Sequence, residues 1–291
     1  MKVIPLAVAA ALLATPAGAA AHSSSELAAL QVGLRAHSLY AGPVDGLAGP
    51  ATTAAIALLE QRAGLPVTGV PSEAARSALG RYGAYRLGER TISVPAGGWD
   101  VAQLQFELAW AGFPSGPFTG RYTERVASAV KKFQRFARLP ADGTVGPATI
   151  AALKAAPPRP NLTLSRPTTA PLSGTFGPRE NRFHTGIDFA ASLGSPIVAA
   201  ADGIVSYAGW HPGGWGYLVT IAHAQTRTMY AHLSRVDVRV GQRVQRGAVV
   251  GAAGSSGNAS GAHLHFELRL RGAALDPLPV LTVDPQPSSP S

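Results

Sequence analysis

The chain has 291 residues, 46% of them hydrophobic, long enough for more than one buried core. Its net charge of +9 invites a nucleic-acid reading, but the basic residues are dispersed and no nucleic-acid-binding motif accompanies them, so an anionic polymer of another kind is the better partner. There is no cysteine, which excludes disulfides and thiolate metal sites and leaves histidine and carboxylate to hold any metal.

In chain order, Lys2 precedes an apolar stretch over 3–13 and the small-residue sites Ala17-Gly18-Ala19 and Ala19-Ala20-Ala21. This is the layout of a secretory signal peptide over 1–21, with cleavage expected near Ala19 or Ala21. No other segment reaches the roughly 20 apolar residues that a membrane helix needs. The mature chain is therefore expected to be secreted and monomeric, with no stable membrane span.

An internal repeat follows at a constant offset of 74 residues: Leu30-Gln31 aligns with Leu104-Gln105, Gly42-Pro43 with Gly116-Pro117, Leu65-Pro66 with Leu139-Pro140, and Gly69 with Gly143. The two copies are assigned to 24–80 and 99–155. In the second, Val126, Ala129, Val130, Phe133 and Ala137 recur at helical spacing, with Lys131, Lys132, Arg135 and Arg138 on the remaining surface. Pro147 after Gly146 is placed to open a last helix over 147–155. A helical unit of about 55 residues is near the lower limit for a self-sufficient core. The proline-rich stretch 156–172 reads as a stiff linker that keeps its flanking units apart, and 284–291 as a disordered tail.

Residues 173–283 read as mostly antiparallel β-structure. Runs at 196–200, 203–208, 217–222, 226–232 and 236–240 are rich in Val, Ile, Thr and Tyr and are separated by Gly or Asp turns. Two spacings here carry chemistry, H-x3-D at His184 and Asp188 and H-x-H at His263 and His265. An extended chain would hold His184 and Asp188 roughly 13 Å apart, too far to share a metal, so a bend at Gly186 is expected to converge them. Over 261–268 polar and apolar residues alternate, which puts His263, His265 and Glu267 on one face of a strand and Leu264, Phe266 and Leu268 in the core. Both histidines can then approach one ion, or one can bind it while the other touches its water; spacing leaves that open. A catalytic zinc usually takes three protein ligands, and His232 brings the candidates to five, so two imidazoles remain to handle protons.

Several motifs in order make 173–283 similar to the M23 family of zinc endopeptidases, the LytM and lysostaphin-like enzymes that cut peptidoglycan peptides. They are Phe176-Gly177-Pro178-Arg179, His184-Thr185-Gly186-Ile187-Asp188, Tyr230-Ala231-His232-Leu233-Ser234 and His263-Leu264-His265-Phe266-Glu267. The resemblance implies that His184, Asp188 and His265 bind Zn2+ and that His232 and His263 form the catalytic pair; Glu267 belongs to the motif and is assigned no more than a supporting role behind the ligands. Ala262, where the family commonly has proline, and the loop 256–260 depart from the pattern. The repeated units resemble the three-helix peptidoglycan-binding module, the second more fully through Ala129-Val130-Lys131-Lys132-Phe133-Gln134 and Leu139-Pro140-Ala141-Asp142-Gly143.

The expected fold is therefore multidomain α+β, two small three-helix bundles followed by a mostly antiparallel β catalytic domain. The expected function is a secreted, wall-associated zinc metallo-endopeptidase acting on bacterial peptidoglycan. The alternatives are a non-catalytic wall-binding protein that activates another hydrolase, against which the complete five-residue set speaks, and a zinc D,D-peptidase of the related fold group, against which the H-x3-D spacing speaks. Of the other histidines, His22 and His37 read as surface residues and His223 as a packed or surface residue. His211, in a Gly/Pro/Trp-rich loop, faces either a groove or solvent.

Overall fold

The computed structural model describes residues 23–155 and 160–282, so the expected signal peptide and tail lie outside the described residues. Two helix triplets come first: α1 (Ser25–Ala36), α2 (Pro50–Arg62) and α3 (Glu73–Ala78), then α4 (Trp99–Trp110), α5 (Glu124–Phe136) and α6 (Pro147–Leu153). Ser24 and Ser72 cap α1 and α3 by accepting amide hydrogens of Leu27 and Ala75, and prolines open α2 and α6. Two short strands, β1 (Ala96–Gly97) and β2 (Arg121–Tyr122), pair within the second triplet.

Buried polar side chains pin the loops of both triplets at equivalent places. Gln31 Oε1 accepts the amides of Asp45 and Gly46 at 3.0 and 2.9 Å, and Gln105 Oε1 those of Thr119 and Gly120 at 3.0 and 2.8 Å. Glu60 receives the Gly69 amide at 2.8 Å, and Gln134 the Gly143 amide at 2.9 Å. The repeated glutamines are thus structural pins, each satisfying amides that burial would otherwise leave unpaired.

The two triplets are not separate beads. The first helices of the repeat, α1 and α4, pack on each other, and one apolar cluster runs from Ala28, Leu30 and Leu34 through Ile56 and Leu79 to Trp99, Phe106 and Phe118. Trp99 Nε1 and Gln103 Nε2 both donate to Glu26 across this seam, at 3.2 and 3.0 Å. Sharing α4 gives each half a larger core than about 55 residues could bury alone.

The rest is β-structure: β3 (Leu164–Ser165), β4 (Leu172–Gly174), β5 (Gly177–Arg179), β6 (Arg182–His184), β7 (Ile187–Phe189), β8 (Pro196–Val198), β9 (Gly203–His211), β10 (Gly216–His223), β11 (Thr226–Leu233), β12 (Arg235–Val236), β13 (Arg243–Val244), β14 (Val249–Ala252), β15 (Leu264–Leu270), β16 (Ala273–Leu275) and β17 (Leu281–Thr282). The main antiparallel sheet runs β13-β9-β10-β11-β15-β7-β4, with β16 beside the far half of β15, and a small β12-β14-β8 sheet packs nearby. Its core face carries Ile187, Phe189, Val219, Ile221, Tyr230, Phe266 and Leu268, all fully buried. Of the expected strand at 236–240 only Val236 is extended in a strand; Arg239 N–H turns back to the Gln242 side chain, and Gln242 N–H bonds Arg239 O. Among the described residues no helix is long and apolar enough to cross a membrane.

The expectation of a spacer over 156–172 is corrected for its second half. Residues 156–159 lie outside the described residues, but Leu164 is fully buried in the β-core, Ser165 bonds Ala200, and the Arg166 guanidinium stacks 4.9 Å from the Phe189 ring. The helical and β parts also touch. Trp110 packs edge-on against Phe183 and Phe176, with ring centroids 5.2 and 6.1 Å away. Phe118 N–H bonds Asn181 O at 2.8 Å, and Ala274 N–H bonds Gly112 O at 3.0 Å. The β5-β6 hairpin, which ends in His184, is thus gripped by the helices.

Candidate metal centre

His184 ends β6 and Asp188 lies in β7, with the chain bending at Gly186 between them. The glycine is required by close approach: a Cβ there would sit 2.3 Å from the Phe266 carbonyl oxygen. The bend swings Asp188 opposite His265 on β15, a direct cross-strand pair. His184 Nε2 then lies 3.1 Å from Asp188 Oδ1 and 2.9 Å from His265 Nδ1, which is itself 2.8 Å from the same oxygen.

Three lone-pair atoms this close repel one another unless a proton or cation lies among them. Tetrahedral ligands with bonds of 2.0–2.1 Å would be separated by about 3.3 Å, so the three atoms need to open only slightly to fit an ion. The outer nitrogens agree. His184 Nδ1 meets the Thr175 carbonyl at 2.7 Å and must carry its proton there, leaving Nε2 to face inward. His265 Nε2 meets the Glu267 carboxylate at 3.2 Å and likewise leaves Nδ1 facing inward. These three residues form a group that could hold a metal ion.

Electrostatics support the same picture. Burial opposes ionisation of Asp188, but His184 and His265 outweigh it and hold the carboxyl well below the usual carboxylate range. Burial also opposes a charged His265, yet Asp188 and Glu267 push its pKa up to about 8; the proton it keeps is the one a metal would displace. Glu267 is fully buried, and Arg269 and His265 keep it ionised against that burial. Arg269 Nε donates to it at 2.6 Å, and the Thr185 hydroxyl also donates. Arg179 Nη2 donates to Asp188 Oδ2 at 2.9 Å.

His232 and His263 stand beside this group, their rings 4.8 Å apart, with His232 5.9 Å from His265. Their Nδ1 protons go to the carbonyls of Ser256 and Gly261, at 2.8 and 2.9 Å. Among the described residues neither Nε2 has a hydrogen-bond partner. Burial pushes the His232 pKa down against the support of the Ser256 carbonyl, and His263 and His265 add to the depression. His232 reaches this position through a β-bulge. The register between β10 and β11 shifts between Tyr217 and Val219, His232 has φ +59°, and its amide bonds Trp215 O. Simple alternation would put His232 on the core face with Tyr230; the extra residue turns it to the site and gives the core to Leu233.

The five residues line one cleft of about 640 Å³, walled by two glycine-rich loops carrying Trp215 and Asn258. These loops interlock at Gly216, which has φ +65° and where a Cβ would meet Ser256 Oγ at 2.3 Å. The Trp215 ring lies 5.3 Å from His265. Trp215, and the carbonyls of Thr175 and Ser256, were not singled out from sequence, since main-chain acceptors leave no side-chain signal. Arg179 could have been found, as it stands in the quoted Phe176-Gly177-Pro178-Arg179 motif. Among the described residues three other histidines lie outside this cleft: His223 is packed between Asp202 O and Thr228 Oγ1, His37 bonds Leu79 O, and His211 lines a different cleft; His22 is outside the described residues.

Comparison with known proteins agrees with this geometry. Residues 182–277 match peptidase family M23. The chain carries an M23 peptidase domain. Ahead of it, residues 23–79 and 97–153 each match the family described as "putative peptidoglycan binding domain". The chain is 41% identical over 122 residues to DD-carboxypeptidase/endopeptidase Mpg of Neisseria meningitidis, covering 40% of this chain and 28% of that protein. It is 43% identical over 90 residues to peptidoglycan DD-endopeptidase ShyA of Vibrio cholerae, covering 31% of this chain and 21% of that protein. Among solved structures, the catalytic domain of lysostaphin from Staphylococcus simulans is 31% identical, covering 38% of this chain and 90% of that one, with a TM-score of 0.37. The chain thus spans less than a third of the length of these two curated relatives.

Proposed function

We propose that this protein is a zinc metallo-endopeptidase that hydrolyses peptide bonds of bacterial peptidoglycan, acting as a monomer outside the cytoplasm at the cell wall. The observation that carries the reading is the convergence of His184 Nε2, Asp188 Oδ1 and His265 Nδ1 within about one ligand spacing, beside two imidazoles whose Nε2 atoms are unengaged. The M23 match and the names of the relatives supply the substrate class.

In this proposal His184, Asp188 and His265 hold zinc, and their orientation is maintained by Thr175 O, Arg179 and Glu267. Bound zinc would lower the pKa of a water to about 7 and polarise the scissile carbonyl. His232, held toward the neutral form by burial, would accept the attacking water's proton at Nε2 and pass it to the leaving amine, and His263, lining the same cleft, would stabilise developing oxyanion charge once it carries a proton on Nε2 as well as Nδ1. The helical repeats, 24–80 and 99–155, hold the enzyme on the wall and raise its local concentration there.

The test is alanine substitution of His184, Asp188 and His265 one at a time, with zinc content measured by atomic absorption alongside wall lysis. Each variant should lose both. Lysis at the parental rate by any of the three, with zinc absent, would sink the proposal.

A further inference from the structure

On the sheet face that carries His265, the floor does not end at the metal centre. Side chains at 265, 267 and 269 of β15 share that face, and their cross-strand partners on β11 are Ala231, Met229 and Arg227. Beyond Glu267 and Met229 lies a second cleft of about 580 Å³, lined by Tyr207, His211, Met229, Arg227, Arg269 and Arg271 among others, with no carboxylate in its wall. The two clefts adjoin: the end of β9 gives His211 to one, and the loop after it gives Trp215 to the other.

The charge pattern in this second cleft is unusual for a surface that faces only water. Arg227 and Arg269 stand directly opposite each other across the strands, a like-charge placement that costs stability unless an anion offsets it. Arg269 is already committed to Glu267. Arg271 stacks 4.7 Å from the Phe136 ring, which orients its guanidinium without neutralising it. Arg227 has no ion-pair or hydrogen-bond partner among the described residues. Three guanidiniums therefore share one carboxylate, that of Glu267, and two remain available in a preformed concave site on the same floor as the metal centre.

We propose that this arginine cleft is a carboxylate-binding subsite, in which Arg227, flanked by Arg271, fixes a free carboxyl group of the peptide chain whose scissile bond lies at the metal centre. From residue 265 to residue 269 the strand advances about 13 Å, the length of roughly four extended peptide residues. The preferred substrate is thus an extended wall peptide with an unamidated carboxyl group about four residues from the cleaved bond. The inference rests on the hydrolase reading above and extends it to substrate choice.

The experiment uses cross-linked peptides released from sacculi by a glycan-cutting enzyme, either untreated or with their carboxyl groups amidated by carbodiimide. Binding is measured by calorimetry on the full chain in chelator, and cleavage on the zinc-loaded protein, for wild type, Arg227→Gln, and Arg62→Gln as a remote control of equal charge. Wild type and R62Q should bind and cleave the free-carboxyl peptides about tenfold better than the amidated ones, mainly through KM, and R227Q should lose that preference. Equal handling of both peptide sets by wild type, or an undiminished preference in R227Q, overturns the subsite. Carboxyl-dependent binding that R227Q abolishes, with no cleavage by any zinc-loaded form, would keep the subsite and remove the hydrolase reading. Neither binding nor cleavage would remove both.

Discussion

Gly186→Ala is a small change placed where the geometry has least room. The new Cβ would lie 2.3 Å from the Phe266 carbonyl oxygen, 2.9 Å from Glu267 Cγ and 3.0 Å from His265 Cε1. Bringing the first of these to an ordinary contact requires about 1 Å of separation between the 185–186 bend and β15. Both sides are backbone, held by the β7-β15 pairing, so side-chain rotation cannot absorb the displacement. Overpacking of this kind costs about 1–3 kcal/mol. The same movement separates His184 and Asp188 from His265, whereas metal ligands tolerate only about 0.2 Å of error. We therefore expect zinc affinity to fall about 10–100-fold, the size of effect seen when a ligand's support is lost. Thermal melting of the metal-free chain and zinc competition against a chromogenic chelator measure the two consequences. Gly261→Ala, where nothing lies within 4 Å of the added carbon, is the control. If G186A melted and bound zinc like that control, the close approach at the bend would not be what sets the ligand geometry.

Three further outcomes follow from other contacts. Glu267→Gln removes the ionised partner of both His265 and Arg269, and zinc affinity should drop about tenfold or more with the fold retained; unchanged affinity would take Glu267 out of the site. Trp110→Ala should destabilise the chain by about 2–3 kcal/mol and speed amide hydrogen exchange in β6, which the ring contacts brace; unaltered exchange there would mean that the helices rest on the hairpin without holding it. Glu60 has a lowered pKa because the Gly69 amide and Thr68 bond its carboxylate against the cost of burial. Its contribution is therefore present above the unfolded value of about 4.3 and is lost as pH falls through the lower folded value, so wild type should lose more thermal stability on acidification than Glu60→Gln, which mimics Gln134 at the equivalent place. Parallel pH profiles for the two would contradict that linkage.

What could be read in the sequence was whatever obeys a local period or a local steric rule. The alternation over 261–268 places Leu264, Phe266 and Leu268 in the core and His263, His265 and Glu267 opposite, because β15 is regular along its length. The bend at Gly186 was legible because an extended chain cannot converge residues four apart. The orientation of His232 was not legible in this way. Its strand carries a bulge, one added residue reverses which side chains face inward, and only the pairing partner reveals it. The joining of the helical repeats through α1 and α4 was illegible for a related reason. α4 is buried on nearly all sides, so its apolar pattern has no stripe to announce where its neighbours lie. The stretch ending at Leu172 was read as a spacer from its prolines, yet Ser165 and Arg166 find partners in the β-core at Ala200 and Phe189, more than 20 residues away. Long-range packing of this kind leaves no mark on composition.

The most direct test of the central claim is mass spectrometry of sacculi after incubation with the protein, with and without chelator and with zinc restored. The account predicts new amino and carboxyl ends from one type of peptide bond, absent in chelator and recovered with zinc. Tight binding to sacculi with no new ends under any of these conditions, across walls of different cross-bridge chemistry, would contradict it.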